Sequence, residues 1–397
     1  MNSLLRVALV ATSFLAPTFA ARMPVPEQPR SLEYIIKPKV FIISMFTPEA
    51  EQWYGISDFD VMALNITVPG FSPMFPDVHC TADGDVCQLT TGEGEINAAT
   101  TIASLVRSPH FDLTTAYFMI AGIGGVNPEH ATIGSVTFAR YAVQVALQYE
   151  FSQFDIPTNF STGYIPNGAT QPDEYPQIIY GTEVFELNQN LQKAAVTFAR
   201  KATLNDSTTA IAYRANYASN PAYAAGTQKP SVIECDTATS DNYYSGVTLG
   251  ATFSNYTNLI TNGSGIYCCS AQEDNATLEA LLRAAVDKVV DFSRIILMRT
   301  GSDFERPFPG EAATTNLFWV DQGGFEPSLQ NIYLAGVEVV RGIMDGWNST
   351  FAAGVKADNY VGDILNTLPG DVAPDFGPYG FNNNHLKRGL RGAVKTA

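Results

Sequence analysis

The chain has 397 residues, 46% of them hydrophobic and 16% charged, with 23 Lys+Arg against 39 Asp+Glu and a net charge of −16. This length admits one large α/β domain or two smaller ones, and the apolar share excludes a disordered chain. The acidic balance excludes a phosphate-gripping nucleic-acid surface and works against an anionic membrane, while 5 cysteines are too few for a disulfide mini-scaffold.

Arg6, the apolar run Val7–Leu15 and the small residues up to Ala20 form the pattern of a secretory signal peptide cut after Ala20. No other stretch reaches the 18 unbroken apolar residues of a membrane span; Val289–Met298 is interrupted by Asp291, Ser293 and Arg294. Residues 21–36 read as a Pro-rich arm. Lys39–Ser44, apolar without alternation, predicts a strand buried on both faces. Val86–Thr90 is a second strand, and Asn97–Arg107 carries Ala98, Ile102, Leu105 and Val106 at helical spacing. Thr115–Ile120 is a third strand, expected to end in a glycine loop, Gly122-Ile123-Gly124-Gly125. Ser135–Gln148 reads as one long strand. Leu187–Lys201 and Leu278–Ser293 read as helices, Arg294–Met298 as a strand leading into Arg299-Thr-Gly-Ser-Asp303, and Ser328–Trp347 as a closing helix. Strands alternating with helices predict a single-domain, three-layer α/β/α sandwich around a central mixed sheet, with ligands at strand C-terminal ends. The domain spans 37–347, residues 202–232 form an excursion, and 348–397 form a tail with a basic cluster at Lys387, Arg388, Arg391 and Lys395.

Asn65, Asn159, Asn205, Asn255, Asn262, Asn275 and Asn348 each open an acceptor triplet for N-glycosylation. Used sites must lie on the surface. In an oxidising compartment Cys80 and Cys87 are expected to bridge across the turn Thr81–Val86. Cys235 has Cys268 or Cys269 as a partner, and one cysteine is left over. The 4 histidines are scattered without metal-ligand spacing, and no full dinucleotide fingerprint is present, so no metal and no cofactor are expected.

Thr91-Gly-Glu-Gly-Glu-Ile-Asn-Ala-Ala99, then Ile120-Ala-Gly-Ile-Gly-Gly-Val126, then Ile133-Gly-Ser-Val136 occur in an order that resembles the nucleoside phosphorylase/nucleosidase superfamily. Within it, the whole chain is most similar to the fungal purine nucleoside permease family, through Ile233-Glu-Cys-Asp-Thr-Ala-Thr-Ser-Asp-Asn-Tyr-Tyr-Ser-Gly246. The resemblance runs from about Lys39 to Arg306. It implies a nucleoside phosphorylase-like fold and a small-molecule purine nucleoside as ligand. It also implies roles for individual residues. Phe185 and Glu186 would stand in the segment that stacks on the purine, and Cys235 and Asp236 in the segment that holds the ribose hydroxyls. Arg299 and Ser302 would position Asp303, the general acid at the purine ring. Glu93, Gly122, Ile123 and Gly124 would line the substrate site.

The chemistry asked of these residues is consistent. Cleaving an N-glycosidic bond builds negative charge on the base, so an acid beside the ring is needed, and a desolvated aspartate has the raised pKa for it. The pattern departs from phosphate-using relatives of the superfamily. Ser44–Glu51 contains no arginine, Gly122 stands at the serine position, and Met119 at the arginine position. Glu93 and Glu95 would repel an anion. Glu49 stands where the hydrolytic branch activates water, a role that suits a general base and not a phosphate cradle. The expectation is a secreted protein (extracellular, cell envelope or vacuole) that hydrolyses purine nucleosides to base and ribose. Arg140, Arg214 or Arg306 reaching the pocket would instead restore phosphorolysis. A nucleoside-binding or uptake protein with little turnover is the alternative from another class. The oligomeric state, a homo-oligomer included, is open.

Overall fold

The computed structural model describes residues 35–368 and 370–380. The expected signal segment, the expected arm as far as residue 34 and the basic cluster after residue 380 lie outside the described residues. In chain order the elements are β1 (Val40–Ser44), α1 (Thr47–Glu51), β2 (Leu64–Thr67), β3 (Asp77–Cys80), β4 (Val86–Thr90), α2 (Glu95–Leu105), β5 (Tyr117–Val126), β6 (Val136–Ala139), β7 (Tyr141–Gln144), β8 (Gln148–Glu150), β9 (Tyr164–Pro166) and β10 (Val184–Glu186). They continue with α3 (Gln189–Ala199), α4 (Thr208–Arg214), β11 (Val232–Glu234), β12 (Asp236–Thr239), α5 (Val247–Ile260), β13 (Tyr267–Ala271), α6 (Asp274–Val286), β14 (Ile295–Phe304), α7 (Ala313–Phe318), α8 (Phe325–Asp345), β15 (Gly362–Asp363) and α9 (Gly377–Gly380).

Thirteen strands form one mixed sheet whose main path runs β15-β10-β7-β12-β13-β5-β1-β4-β3-β2. β1 lies parallel to both β4 and β5, and β14 runs parallel to β5 and antiparallel to β6. Side chains of a strand alternate between faces, and β1 uses both. Phe41 and Ile43 pack with Ile102 and Leu105 of α2 and Leu278 and Leu281 of α6. Val40 and Ile42 pack with Leu191 and Val196 of α3 and Ile332 and Val339 of α8. This gives three layers: helices, sheet, helices. The caps agree with the sequence: Asn188 opens α3 by accepting the N–H groups of Asn190 and Leu191, and Gly94, at φ 88°, turns the chain into α2.

Four expectations are corrected. The glycine run after Ile120 is not a loop, because β5 continues through it to Val126. It stays extended where β13 presses close: a β-carbon on Gly124 would collide with the Ser270 carbonyl oxygen. Ser135–Gln148 is not one strand. The chain changes partners at Arg140, with β6 pairing β11 and β14, and β7 pairing β10 and β12. The stretch after Trp347 does not trail off as a tail throughout. β15 adds to β10, and Phe351, Tyr360, Ile364 and Phe376 are buried. Finally, Asn275 is buried at the start of α6, its amide donating to the Thr182 carbonyl (2.8 Å) and accepting from the Thr239 hydroxyl (2.7 Å). A glycan has no room there. The other six acceptor asparagines are exposed.

Disulfides join Cys80 to Cys87, across the paired ends of β3 and β4, and Cys235 to Cys268; Cys269 is free and buried.

Candidate active site

At the C-terminal end of β1 the chain turns into α1, which starts with Pro48 in its first turn. Glu49, only 1% exposed, folds back over this turn. Its Oε2 accepts the Met45 N–H at 2.7 Å and its Oε1 accepts the Ile123 N–H of β5, also at 2.7 Å. Burial pushes the carboxyl up to about 8, against the opposing pull of the Arg299 guanidinium and the two N–H donors. Gly122 supplies the space. A β-carbon there would lie 2.6 Å from Glu49 Oε1 and 2.7 Å from Arg299 Nη1.

Arg299 comes from β14 and is 2% exposed. It donates to Asp274, to Glu273 Oε2 (3.1 Å) and to the Ile123 carbonyl (2.9 Å). Three residues on, the register against β5 slips between Gly301 and Asp303. Such a bulge inserts one residue and re-aims the side chains beside it. Ser302 and Asp303 therefore both reach the same cavity. The Ser302 hydroxyl donates to Asp303 Oδ1 at 2.7 Å. Desolvation holds the Asp303 carboxyl above the usual carboxylate range, with the Ser302 hydrogen bond opposing.

Two further segments add to the walls, beside Phe46, Leu317 and Phe325. Where β13 passes into α6, Glu273 accepts the Gly94 N–H through Oε1 at 2.9 Å, while its Oε2 meets Arg299. The segment Ser240–Tyr244 crosses the opening. Asp241 anchors it by accepting the Glu95 N–H (2.8 Å) and, through its carbonyl, Gln272 Nε2 (3.0 Å). Tyr243 and Tyr244 thereby bring two aromatic rings to the cavity, which measures about 200 Å³. Tyr243 is exposed at the mouth, and Tyr244 is tied at its hydroxyl to the Tyr267 hydroxyl (2.7 Å).

Of the residues singled out from sequence, Glu49, Glu93, Ile123, Gly124, Arg299, Ser302 and Asp303 share this cavity, with Glu93 exposed at its edge. Gly122 lies in the wall behind it. Four others are placed elsewhere. Phe185 is fully buried in the core, its ring 6.2 Å from Phe292. Glu186 accepts from Arg140 Nε (2.8 Å) and Asn359 (2.8 Å). Cys235 is in its disulfide. Asp236 accepts three backbone N–H groups, from Arg140 (3.0 Å), Tyr141 (2.7 Å) and Ile266 (2.7 Å), and so clamps β7 and β13 to β12. The sequence reading passed over Gln272, Glu273 and the cavity roles of Tyr243 and Tyr244. The available signal was an acid at a strand-to-helix junction, the same kind of position that drew attention to Glu49.

Residues 37–356 match the model of a protein family described as purine nucleoside permease (NUP). The chain belongs to the purine nucleoside permease family. It is similar to a purine nucleoside permease of Candida albicans, 48% identical over 354 residues that cover 88% of this chain and 85% of the relative. It is also similar to a probable purine nucleoside permease of Schizosaccharomyces pombe, 41% identical over 324 residues, 79% of this chain and 91% of the relative. Among solved structures it is similar to a 5'-methylthioadenosine/S-adenosylhomocysteine nucleosidase from Helicobacter pylori, with a TM-score of 0.45, 13% identity, and coverage of 79% of this chain and 100% of the other. In this member of the permease family, no helix among the described residues is long and apolar enough to cross a membrane.

Proposed function

We propose that this member of the purine nucleoside permease family is a secreted protein that binds a purine nucleoside in the cavity between β1, β5, β13 and β14 and hydrolyses its N-glycosidic bond. The observation that carries the reading is the convergence of Glu49 and Asp303 on one small cavity, both carboxyls held above their ordinary range by burial. Asp303, its proton favoured by burial, donates that proton to a ring nitrogen of the leaving base. Glu49, once ionised, takes a proton from the attacking water. Glu273 is the carboxylate placed to accept from the ribose hydroxyls, since a two-headed acceptor matches a vicinal diol. Tyr243 and Tyr244 offer apolar faces to the base.

Hydrolysis is favoured over phosphorolysis by where the cations are. Arg299 is the arginine on the cavity wall among the described residues, and it is already paired with two carboxylates, Asp274 and Glu273, and donates to a carbonyl. Arg140 is paired with Glu186, Arg214 with Asp206, and Arg306 with Glu305 and Glu129. None of these three lines the cavity. Secretion is supported by the two disulfides and the six exposed acceptor asparagines.

The test is incubation of purified protein with adenosine, guanosine and inosine, with and without phosphate. Free base and ribose without phosphate are expected. Ribose 1-phosphate formed only with phosphate would replace hydrolysis by phosphorolysis. A second reading, nucleoside capture for uptake with little turnover, rests on the family's name. Tight binding with no base released would favour it.

A further inference from the structure

Glu305 lines the cavity beside Asp303 and has no part in the chemistry above. It follows directly on β14. Its N–H donates to the Val126 carbonyl and its carbonyl accepts the Gly246 N–H, both at 3.1 Å, so its backbone is clamped between β5 and the segment that carries Tyr243 and Tyr244. Its side chain is 2% exposed. Oε1 accepts Arg306 Nε at 2.7 Å, and Arg306 is held in turn by Glu129 at 3.2 Å. Oε2 is buried and has no hydrogen-bond partner among the described residues. A β-carbon on Gly125 would lie 3.4 Å from Glu305 Cβ and 3.6 Å from Asp303 Oδ2. The Glu305 side-chain root and the Asp303 carboxylate thus lie beside the same point on β5. A buried carboxylate with one oxygen fixed and the other unpartnered is costly unless a donor arrives. The fold has placed such a group next to the acid that meets the base.

We propose that Glu305 is a specificity-determining residue: its free oxygen accepts a hydrogen bond from an N–H donor on the six-membered ring of the bound base, so that bases presenting such a donor are selected. The inference rests on the nucleoside reading above and refines it. Inosine and guanosine carry a ring N–H, and guanosine and adenosine carry an exocyclic amino group. Purine riboside has the same bicycle and ribose with no N–H donor on that ring. Because Arg306 Nε needs an acceptor, Glu305→Gln turns its amide oxygen to Arg306 and sets an NH₂ where the carboxylate oxygen stood. An acceptor becomes a donor with hardly any change of shape.

The experiment is calorimetric binding of adenosine, guanosine, inosine and purine riboside to the wild-type protein and to Glu305→Gln at about pH 8.5, where the Glu305 carboxyl is ionised. The best of the three donor-bearing nucleosides should bind the wild type at least about tenfold tighter than purine riboside, the range of a hydrogen bond to a charged group. In Glu305→Gln that gap should shrink to about threefold or reverse. Equal wild-type affinity for purine riboside overturns the proposal, and so does a gap that survives the substitution. Should the variant not fold, the wild-type comparison alone still decides. If the wild type binds none of the four, the nucleoside reading itself falls and takes this proposal with it, an outcome distinct from binding without selectivity.

Discussion

Glu49 shares with Met45 the space that a side chain at Gly122 would need: a β-carbon on Gly122 would collide with Met45 Cε and stand 2.6 Å from Glu49 Oε1. The glycine and the glutamate form one steric unit. A residue at position 122 large enough to touch a bound anion would have to evict the carboxylate, and with it Arg299, from the back wall of the cavity.

Gly122→Ser therefore will not install a phosphate site. The hydroxymethyl group displaces Met45, Glu49 and Arg299, and overpacking of this kind typically costs about 1–3 kcal/mol. Turnover should fall at least about tenfold, with no rate gain on adding phosphate, and the unfolding temperature should drop. A phosphate-stimulated Gly122→Ser protein would show that Glu49 yields its place without harm, contrary to the packing.

Asp303→Asn and Glu49→Gln separate the two proton-transfer roles from binding. Each removes one acid–base group, and such groups supply about 10²–10⁴-fold in rate. Both variants should lose turnover on that scale. Asp303→Asn should retain nucleoside binding, because the amide still accepts from Ser302. Near-normal rates in either variant would take that residue out of the mechanism.

Local sequence carried the parts of this site that are made locally. β1 is apolar up to Ser44 and β4 carries Val86, Cys87 and Leu89 beside the buried Gln88 and Thr90, and both are buried along their whole length. Glu49 follows β1 by a few residues, and Arg299, Ser302 and Asp303 stand just past the apolar part of β14, Ile295–Met298, so the ends of apolar runs pointed to them although β14 itself continues to Phe304. What local sequence could not carry was chosen by distant partners. Asp236 is clamped by N–H groups of Tyr141, 95 residues away, and Ile266, 30 residues away. Nothing within its own segment distinguishes a clamp from a ribose-binding acid. Phe185 has the apolarity of either a stacking platform or a core residue, and the packing of Phe292 decides for the core. Glu273 follows Tyr-Cys-Cys-Ser-Ala, a run too polar to stand out as a strand, with Cys268 drawn into a bridge to Cys235. The bulge at Ser302 is a matter of register between β14 and β5, which neither strand states alone.

Asp236 offers a direct check of that distinction. Asp236→Asn replaces an acceptor-only group by one whose NH₂ must face at least one of three backbone N–H donors. A buried donor left without an acceptor costs about 1–3 kcal/mol. The unfolding temperature should fall by a few degrees while KM for the nucleoside changes less than about twofold. A large rise in KM at unchanged stability would place Asp236 against the substrate after all.

The pH dependence of stability follows from the same buried carboxyls. Burial pushes Glu49 up to about 8, Glu305 up to about 7 and Asp236 up to about 6. In the unfolded chain these groups ionise near 4. Between about pH 4 and pH 8 the native state therefore holds protons that the unfolded state has released, and stability falls as pH rises through that window. Each group contributes at most about 1.4 kcal/mol per pH unit. Asp112, held down at about 2 by Thr114 and Lys37, acts only below the window. His79 and His130 oppose the trend, since burial holds both below the usual imidazole range and their contribution grows with pH. The carboxyls outnumber them, and the Glu49 shift is large. Calorimetry from pH 5 to pH 8.5 should show the unfolding temperature declining, with Glu49→Gln flattening the upper part of the curve. A wild-type unfolding temperature that climbs steadily from pH 5 to pH 8 would mean that Glu49 is ionised in the folded protein at neutral pH, and would remove the buried neutral carboxyl from the account of the site.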